Sequence, residues 1–320
     1  MKTYHVPVML AEVLENLNLK LGGRYIDCNL GGGGHTKEIL RRGGKVLGID
    51  VDPEAIAEME RWFNAADKEE DNLLLDPSLR WDDTEALPSP NLTAVQGNFA
   101  DIGRIAAENN FGEVDGILFD LGLSSHQLET SERGFSFVSD APLDMRMSPD
   151  LQVTAADLVN GLNVGELAEL FDKYGEEKFA RPIARAIVER RAAKPIGSTK
   201  ELSEIIQSAR PRGVKDHIHP STRVFQALRI AVNDELNALE AALPQSVELL
   251  RPGGRLAVIS FHSLEDRIVK NFMKEKEKVG LIKVVTDKPL VPSNQEIVVN
   301  PRARSAKMRV AEKINLKVAI

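Results

Sequence analysis

The sequence predicts an α/β protein, a doubly wound and mostly parallel sheet interrupted by an inserted all-helical segment. Three observations lead there. Strand and helix signals alternate over the first 120 residues, only helical patterns occur between 125 and 220, and strand signals resume at 255. A chain of 320 residues is long enough to bury the cores that this arrangement needs.

The elements follow in order. Val6–Leu17 reads as a helix and Arg24–Asp27 as a short strand. A glycine run, Gly31–Gly34, leads into a helix over Thr36–Arg42. Lys45–Asp50 is a short apolar strand. Asp52–Phe63 begins with Asp-Pro, an N-cap followed by proline at the first helical position. Asn64–Asn91 is polar, acidic and contains three prolines, so it is expected to be a long surface loop. Leu92–Gln96 and Gly116–Asp120 are apolar runs of the kind that parallel sheets bury on both faces. Helical patterns then cover Ala155–Leu158, Val164–Phe171, Glu177–Arg191 and Thr199–Ala209, the third with Phe179, Ile183, Ala186 and Ile187 on one face. Arg255–Phe261 is a strand preceded by the turn Pro252-Gly253-Gly254, and Leu281–Thr286 with Lys307–Ile314 supply a closing antiparallel hairpin. The expected domains are 1–124 with 220–320 for the sheet, and 125–219 for the helical insertion.

Composition narrows the class. A hydrophobic fraction of 42% is that of a globular protein. No apolar run approaches the roughly 20 residues that span a bilayer, and the first residues lack the features of a secretory signal. Neither a membrane nor a disulfide is expected, since Cys28 is the one cysteine; a cytoplasmic location fits. The net charge of −7 is unevenly spread: residues 251–320 carry 15 Lys+Arg against 7 Asp+Glu, whereas Asp67–Glu85 holds eight acids and two bases. The basic final third permits contact with phosphates without establishing it.

The chemistry concentrates at strand ends. Tyr25-Ile26-Asp27-Cys28-Asn29-Leu30 leads into Gly31-Gly32-Gly33-Gly34-His35, a strand, a glycine loop and then a helix N-terminus with unpaired N–H groups. Asp50 ends the next strand, 19 positions after Gly31, where a carboxylate can accept both hydroxyls of a ribose. S-adenosylmethionine and a nicotinamide cofactor both suit these features. The dinucleotide fingerprint wants a further glycine where Thr36 or Lys37 stands, which favours S-adenosylmethionine. Asp27 either holds the amino-acid end of that ligand or caps the loop from within. Phe99, after the third strand, either stacks on an adenine or belongs to the core. Asp120 ends the fourth strand, where methyl transfer needs an acceptor beside the sulfonium. The Asp/Asn-Pro-Pro-aromatic motif common in nucleobase amino-methylating enzymes is absent there. The residues alone point to a methyltransferase, with a nicotinamide oxidoreductase and a non-catalytic RNA-binding factor as alternatives.

A denser pattern runs through the whole chain apart from the acidic loop. It comprises His5-Val6-Pro7-Val8, Asp115-Gly116-Ile117-Leu118-Phe119-Asp120-Leu121-Gly122, Ser124-Ser125-x-Gln127-Leu128 and Glu132-Arg133-Gly134-Phe135-Ser136-Phe137. It continues with Pro142-Leu143-Asp144-Met145-Arg146-Met147, Tyr174-Gly175-Glu176-Glu177-Lys178-Phe179-Ala180 and Thr222-Arg223-x-Phe225-Gln226-Ala227-Leu228-Arg229-Ile230. Ile259-Ser260-Phe261-His262-Ser263-Leu264-Glu265-Asp266-Arg267 and Asn300-Pro301-Arg302-Ala303-Arg304-Ser305 close it. In these residues the sequence resembles the ribosomal small-subunit RNA (cytosine-N4)-methyltransferase family.

The resemblance implies a Rossmann-like, S-adenosyl-L-methionine-dependent methyltransferase sheet. It implies transfer of a methyl group to N4 of a cytidine in the decoding region of 16S ribosomal RNA, within the small ribosomal subunit. Matched residue by residue, the family's cofactor site falls on Gly33, Gly34, His35, Asp50, Phe99, Asp120 and Gln127. The chain departs from the family at Cys28-Asn29, where Gly-Thr is usual, and at His126, which replaces a common proline.

Asp120, or a backbone carbonyl within Leu121–Ser125, is expected to accept a hydrogen bond from the amine of an unstacked base. The insertion and the basic C-terminal arm are expected to hold the RNA, with Arg302 and Arg304 on phosphate. Alternation places Lys307 and Arg309 together on one side of the following strand, and an exposed basic ladder of this kind suits phosphates. No metal is expected: His217 and His219 form at most half a site. Ser260 and His262 lack the glycines of a hydrolase elbow and are expected to line the substrate side.

Overall fold

The computed structural model describes residues 7–66, 91–123, 133–211 and 218–315. Seven strands form one sheet: β1 (Arg24–Asp27), β2 (Lys45–Asp50), β3 (Leu92–Gln96), β4 (Val114–Asp120), β5 (Leu250–Ser260), β6 (Ile282–Val284) and β7 (Lys307–Lys313), in the order β3-β2-β1-β4-β5-β7-β6. β1 to β5 are parallel, and β7 pairs antiparallel with both β5 and β6. This is the doubly wound, mostly parallel sheet that the sequence predicts. The chain winds outward from β1 to β3 and then lays β4 against the other side of β1, so the topological switch point lies between β1 and β4. The pairing of Asp27 with Leu118 leaves the two strands ending close together.

Alternation along the strands sends apolar side chains to both faces. Ile26, Leu47, Ile49, Ile117, Phe119 and Val258 pack with the helices Ile102–Glu108, Glu235–Leu249 and Ser263–Lys278. Tyr25, Val46, Leu118, Ala257, Ile259 and Val310 pack with the helices Leu10–Leu17, Gly34–Arg41 and Pro53–Ala66. Ile49, Ile117 and Phe119 are fully buried, each stabilising the fold by about 1.5–3 kcal/mol, and they hold the acidic strand ends that follow them in place.

The structure redraws several elements. The first helix starts at Leu10, because Met9 adopts a left-handed conformation (φ 54°) that a helix cannot continue through. Asp52 precedes Pro53 as expected, its Oδ1 accepting the Glu54 N–H at 3.1 Å; that helix continues to Ala66. The remainder of the acidic segment, 67–90, lies outside the described residues. Pro252-Gly253-Gly254 lies within β5, at a register shift opposite Val114–Gly116, and does not precede the strand. A side chain at Gly254 would meet the Val114 carbonyl oxygen at 2.9 Å.

The chain divides into two compact units, 1–122 with 237–320, and 123–236. The second is all-helical among its described residues, with the helices Ala155–Gly161, Val164–Gly175, Ala180–Arg191, Thr199–Ala209 and Thr222–Asn233. Its later boundary falls after Leu236 and not at 219, because Val224, Phe225, Ala227 and Leu228 of the last helix are buried in this unit's core beside Phe171 and Ile183.

Candidate active site

β1 delivers Asp27 to the carboxyl edge and then turns into the glycine loop. Asp27 is 2% exposed, and both its oxygens are engaged: Oδ2 accepts the Thr36 hydroxyl at 2.7 Å and Oδ1 accepts the Asn29 N–H at 3.2 Å. It caps the loop from within. Burial holds its carboxyl above the ordinary range, offset in part by those two bonds. Gly33 precedes the Gly34–Arg41 helix at φ 71°, and a Cβ there would lie 1.9 Å from the Met59 sulfur, so backbone and packing both demand glycine. Gly34 packs against Pro7, whereas Gly32 faces open space, with nothing within 4 Å of where a Cβ would stand.

Asp50, at the end of β2, ties the second strand to this loop. Its Oδ2 accepts the Gly31 N–H at 2.8 Å and its Oδ1 the Asp52 N–H at 2.9 Å. Each oxygen keeps a lone pair for a further donor. Burial pushes the carboxyl up to about 6, against the pull of the two N–H groups, and the charges of Asp52 and Asp27 add to the rise. Beyond β3, Asn98 caps a single 3₁₀ turn by accepting the Ala100 N–H at 2.9 Å. This turn sets the half-buried Phe99 edge-on to Phe119, with ring centroids 5.5 Å apart.

β4 ends at Asp120, across the switch point from the glycine loop. Its Oδ1 is buried and has no hydrogen-bond partner, and its Oδ2 lies 3.7 Å from His35 Nδ1. His35 is 4% exposed, with Nε2 3.0 Å from the Val8 carbonyl. A carbonyl only accepts, so Nε2 carries the hydrogen and Nδ1 faces Asp120 as a lone pair. Burial pushes His35 down to about 4, which leaves it neutral. Asp120 therefore faces no cation from His35. Burial, then the charges of Asp27 and Glu265, hold its carboxyl well above the ordinary carboxylate range.

The structure thus gathers Gly33, Gly34, His35, Asp50 and Asp120 around the ends of β1, β2 and β4, with Phe99 following β3. Gln127 lies outside the described residues, as do Ser124, Ser125, His126 and His217. Arg302 and Arg304 lie in a 3₁₀ turn, Pro301–Ser305, both exposed on either side of the buried Ala303, and the turn leads into β7 where Lys307 pairs with Ser260 at the carboxyl end of β5. The ladder expected to follow them is broken: Arg309 is 8% exposed and forks onto Asp266, Nε to Oδ1 at 2.6 Å, while Lys307 lies 3.8 Å from the same carboxylate. His219 stacks on Phe137 at 4.5 Å in the helical unit.

Glu265 and Asn29 escaped the sequence reading. His262, expected on the substrate side, is the N-cap of the Ser263–Lys278 helix, and Glu265, 2% exposed, completes a capping box with it and accepts the Phe261 N–H at 2.7 Å. The three-residue spacing before an apolar run was the available signal. Asn29 carried none: its buried, unpartnered Oδ1 is a product of the loop's path.

The donor set suits a cofactor with a ribose and a cationic centre. A bare loop faces Asp50, a hydroxyl acceptor, and Asp120 holds an unsatisfied acidic oxygen. The family model described as the MraW methylase family matches residues 2–314. The chain belongs to that family. The ribosomal RNA small subunit methyltransferase H of Carboxydothermus hydrogenoformans is 47% identical over 98% of this chain and 99% of its own. The protein of the same name from Heliobacterium modesticaldum is 46% identical over 97% and 99%, and that from Geobacter sulfurreducens 47% over 97% and 99%. A solved rRNA methylase from Streptococcus thermophilus covers 96% of this chain and 92% of its own at 11% identity and a TM-score of 0.40, a likeness too slight to carry a conclusion. No described helix is long and apolar enough to cross a membrane.

Proposed function

We propose that this methylase transfers a methyl group from S-adenosyl-L-methionine to the exocyclic N4 of a cytidine in the decoding region of 16S ribosomal RNA, acting in the cytoplasm on the small ribosomal subunit. The observation that carries the reading is the meeting of the glycine loop, Asp50 bound to that loop and the unsatisfied Asp120 at the ends of β1, β2 and β4, in a chain of this family. The relatives' names support the substrate.

S-adenosylmethionine supplies, when bound, an electrophilic methyl on a sulfonium whose thioether leaves. The chain's own residues do the rest. Asp50 accepts the ribose hydroxyls through its free lone pairs, and Gly33 and Gly34 let the loop approach. Phe99 offers a half-exposed ring beside the β3 end for the adenine. The cytosine amine is a weak nucleophile because its lone pair is delocalised, so it must be held in line and its N–H accepted. Asp120, or a main-chain carbonyl just after it, accepts a hydrogen bond from that N–H, and the proton released on methylation passes to the Asp120 carboxylate or to solvent. The target base leaves its stack to reach the site. The helical unit and the exposed Arg302 and Arg304 hold the RNA backbone.

Tritiated methyl transfer onto small subunits lacking the modification, followed by nucleoside analysis, tests the reading. Label in N4-methylated cytidine is expected; label in another nucleoside, or none, refutes it. Asp120→Asn should weaken cofactor binding; a further fall in kcat at saturating cofactor assigns the residue to the amine as well, and an unchanged kcat there assigns it to the donor alone.

A further inference from the structure

The β1–β4 ladder continues one residue past the end of β1, the Cys28 N–H donating to the Leu118 carbonyl at 2.9 Å. Asn29 therefore leaves the sheet beside the place where β4 ends in Asp120. Its main-chain N–H is bound to Asp27 Oδ1 at 3.2 Å, while its side-chain Oδ1 is buried with no hydrogen-bond partner. Asp120 Oδ1 is in the same condition. Two sealed acceptors without donors, on neighbouring strand ends, are costly unless a ligand brings the donors.

The other polar groups here are engaged apart from the His35 Nδ1 lone pair, which is itself an acceptor 3.7 Å from Asp120 Oδ2. Asp27 is bound by Thr36 and Asn29, and the His35 Nε2 hydrogen by Val8. Asp50, on β2, is bound by the Gly31 and Asp52 N–H groups. What remains calls for a donor-only, positively charged group. A primary ammonium, with three N–H donors and no acceptor, has that chemistry; a hydroxyl brings one donor and no charge. His35, kept neutral by burial, adds no competing positive charge.

We infer that Asn29 is a cofactor-binding residue which, with Asp120, receives the α-ammonium of the methionyl group. The inference rests on the donor being S-adenosylmethionine, as proposed for this site. It also gives a use to a residue at which this chain departs from the family's usual threonine.

Calorimetric binding of S-adenosylmethionine and of 5′-methylthioadenosine, which lacks the amino-acid chain, tests it on the full-length protein. Asn29→Ala should weaken S-adenosylmethionine about tenfold, as expected for a lost hydrogen bond to a charged group, and leave methylthioadenosine within about twofold. Asn29→Thr, which keeps an acceptor, should hold S-adenosylmethionine within about threefold. If Asn29→Ala shows no cooperative melting, Asn29→Leu, of similar size and without an acceptor, is judged by the same criterion. Equal losses for both ligands, an unchanged affinity for S-adenosylmethionine, or a Thr variant as weak as Ala would each overturn the inference. A wild-type protein that binds no S-adenosylmethionine would instead remove the donor assignment beneath it.

Discussion

β4 carries an aspartate near each end, Asp115 buried and Asp120 with one oxygen buried, and the two are treated in opposite ways. Asp115, at the amino edge and 4% exposed, is matched by charge: its Oδ2 accepts the Arg24 N–H at 3.1 Å, and its Oδ1 is ion-paired with Lys20 Nζ at 3.3 Å and with the Arg251 guanidinium. Asp120, at the carboxyl edge, has an oxygen with no partner, a neutral histidine, and the charges of Asp27 and Glu265 close enough to raise its pKa. One strand thus spends its first acid on stability and leaves its last one unsatisfied. Stable scaffolds match their buried charges, and ligand sites leave them open for what arrives.

Substitutions at the two ends should separate these roles. Asp120→Asn should lower methyl transfer by about two orders of magnitude or more, in the range seen when an oriented acceptor or cofactor contact is lost. The same change should stabilise the cofactor-free protein. Asp120 has its folded-state pKa raised above the unfolded value of about 3.9, so the folded chain holds its proton longer and the penalty develops as pH rises above about 4. A gain in stability at pH 8 that fades toward pH 4 is expected in melts of the two proteins. Loss of stability at pH 8 would mean that Asp120 is a structural residue like Asp115.

Asp115→Asn should do the reverse. It leaves Lys20 and Arg251 without their shared anion, and since both are partly exposed the cost should be about 1–2 kcal/mol. S-adenosylmethionine affinity of the folded protein should stay within about twofold, as an uninvolved site requires. A parallel loss of affinity would show that the two edges are coupled.

Asp50→Ala sharpens the comparison within the carboxyl edge. Losing a charge-assisted ribose contact should weaken cofactor binding about tenfold or more, read by calorimetry. The smallest effect concerns RNA. Arg302→Ala with Arg304→Ala should lower the slope of log affinity against log salt by up to about two phosphate contacts and leave cofactor binding unchanged. Equal slopes would assign both arginines to a merely solvated turn.

The strand ends were legible because parallel strands are apolar on both faces, so an acid closing such a run, as in Lys45–Asp50 or Gly116–Asp120, stands out. The same pattern left Asp27 undecided, since its partner Thr36 lies a loop away and only the folded path brings them to 2.7 Å. Alternation put Arg309 and Lys307 on one side of β7 but said nothing of Asp266, which turns Arg309 from a phosphate ligand into a buried ion pair. Pro244 within Glu235–Leu249 hides a helix from pattern reading, although its ring is tolerated there. Asn29 shows the limit most plainly: an unsatisfied oxygen is a property of three-dimensional surroundings.

The most direct test of the open carboxyl edge is the melting temperature with S-adenosylmethionine or NAD present, for wild type and Asp120→Asn. At about 100 times the dissociation constant, a ligand that binds only the folded chain stabilises it by about 2.7 kcal/mol. S-adenosylmethionine should raise the wild-type melting temperature, NAD should not, and Asp120→Asn should lose most of the increment. Stabilisation by NAD, or an equal increment from S-adenosylmethionine in both proteins, would contradict an edge left open for a cationic donor.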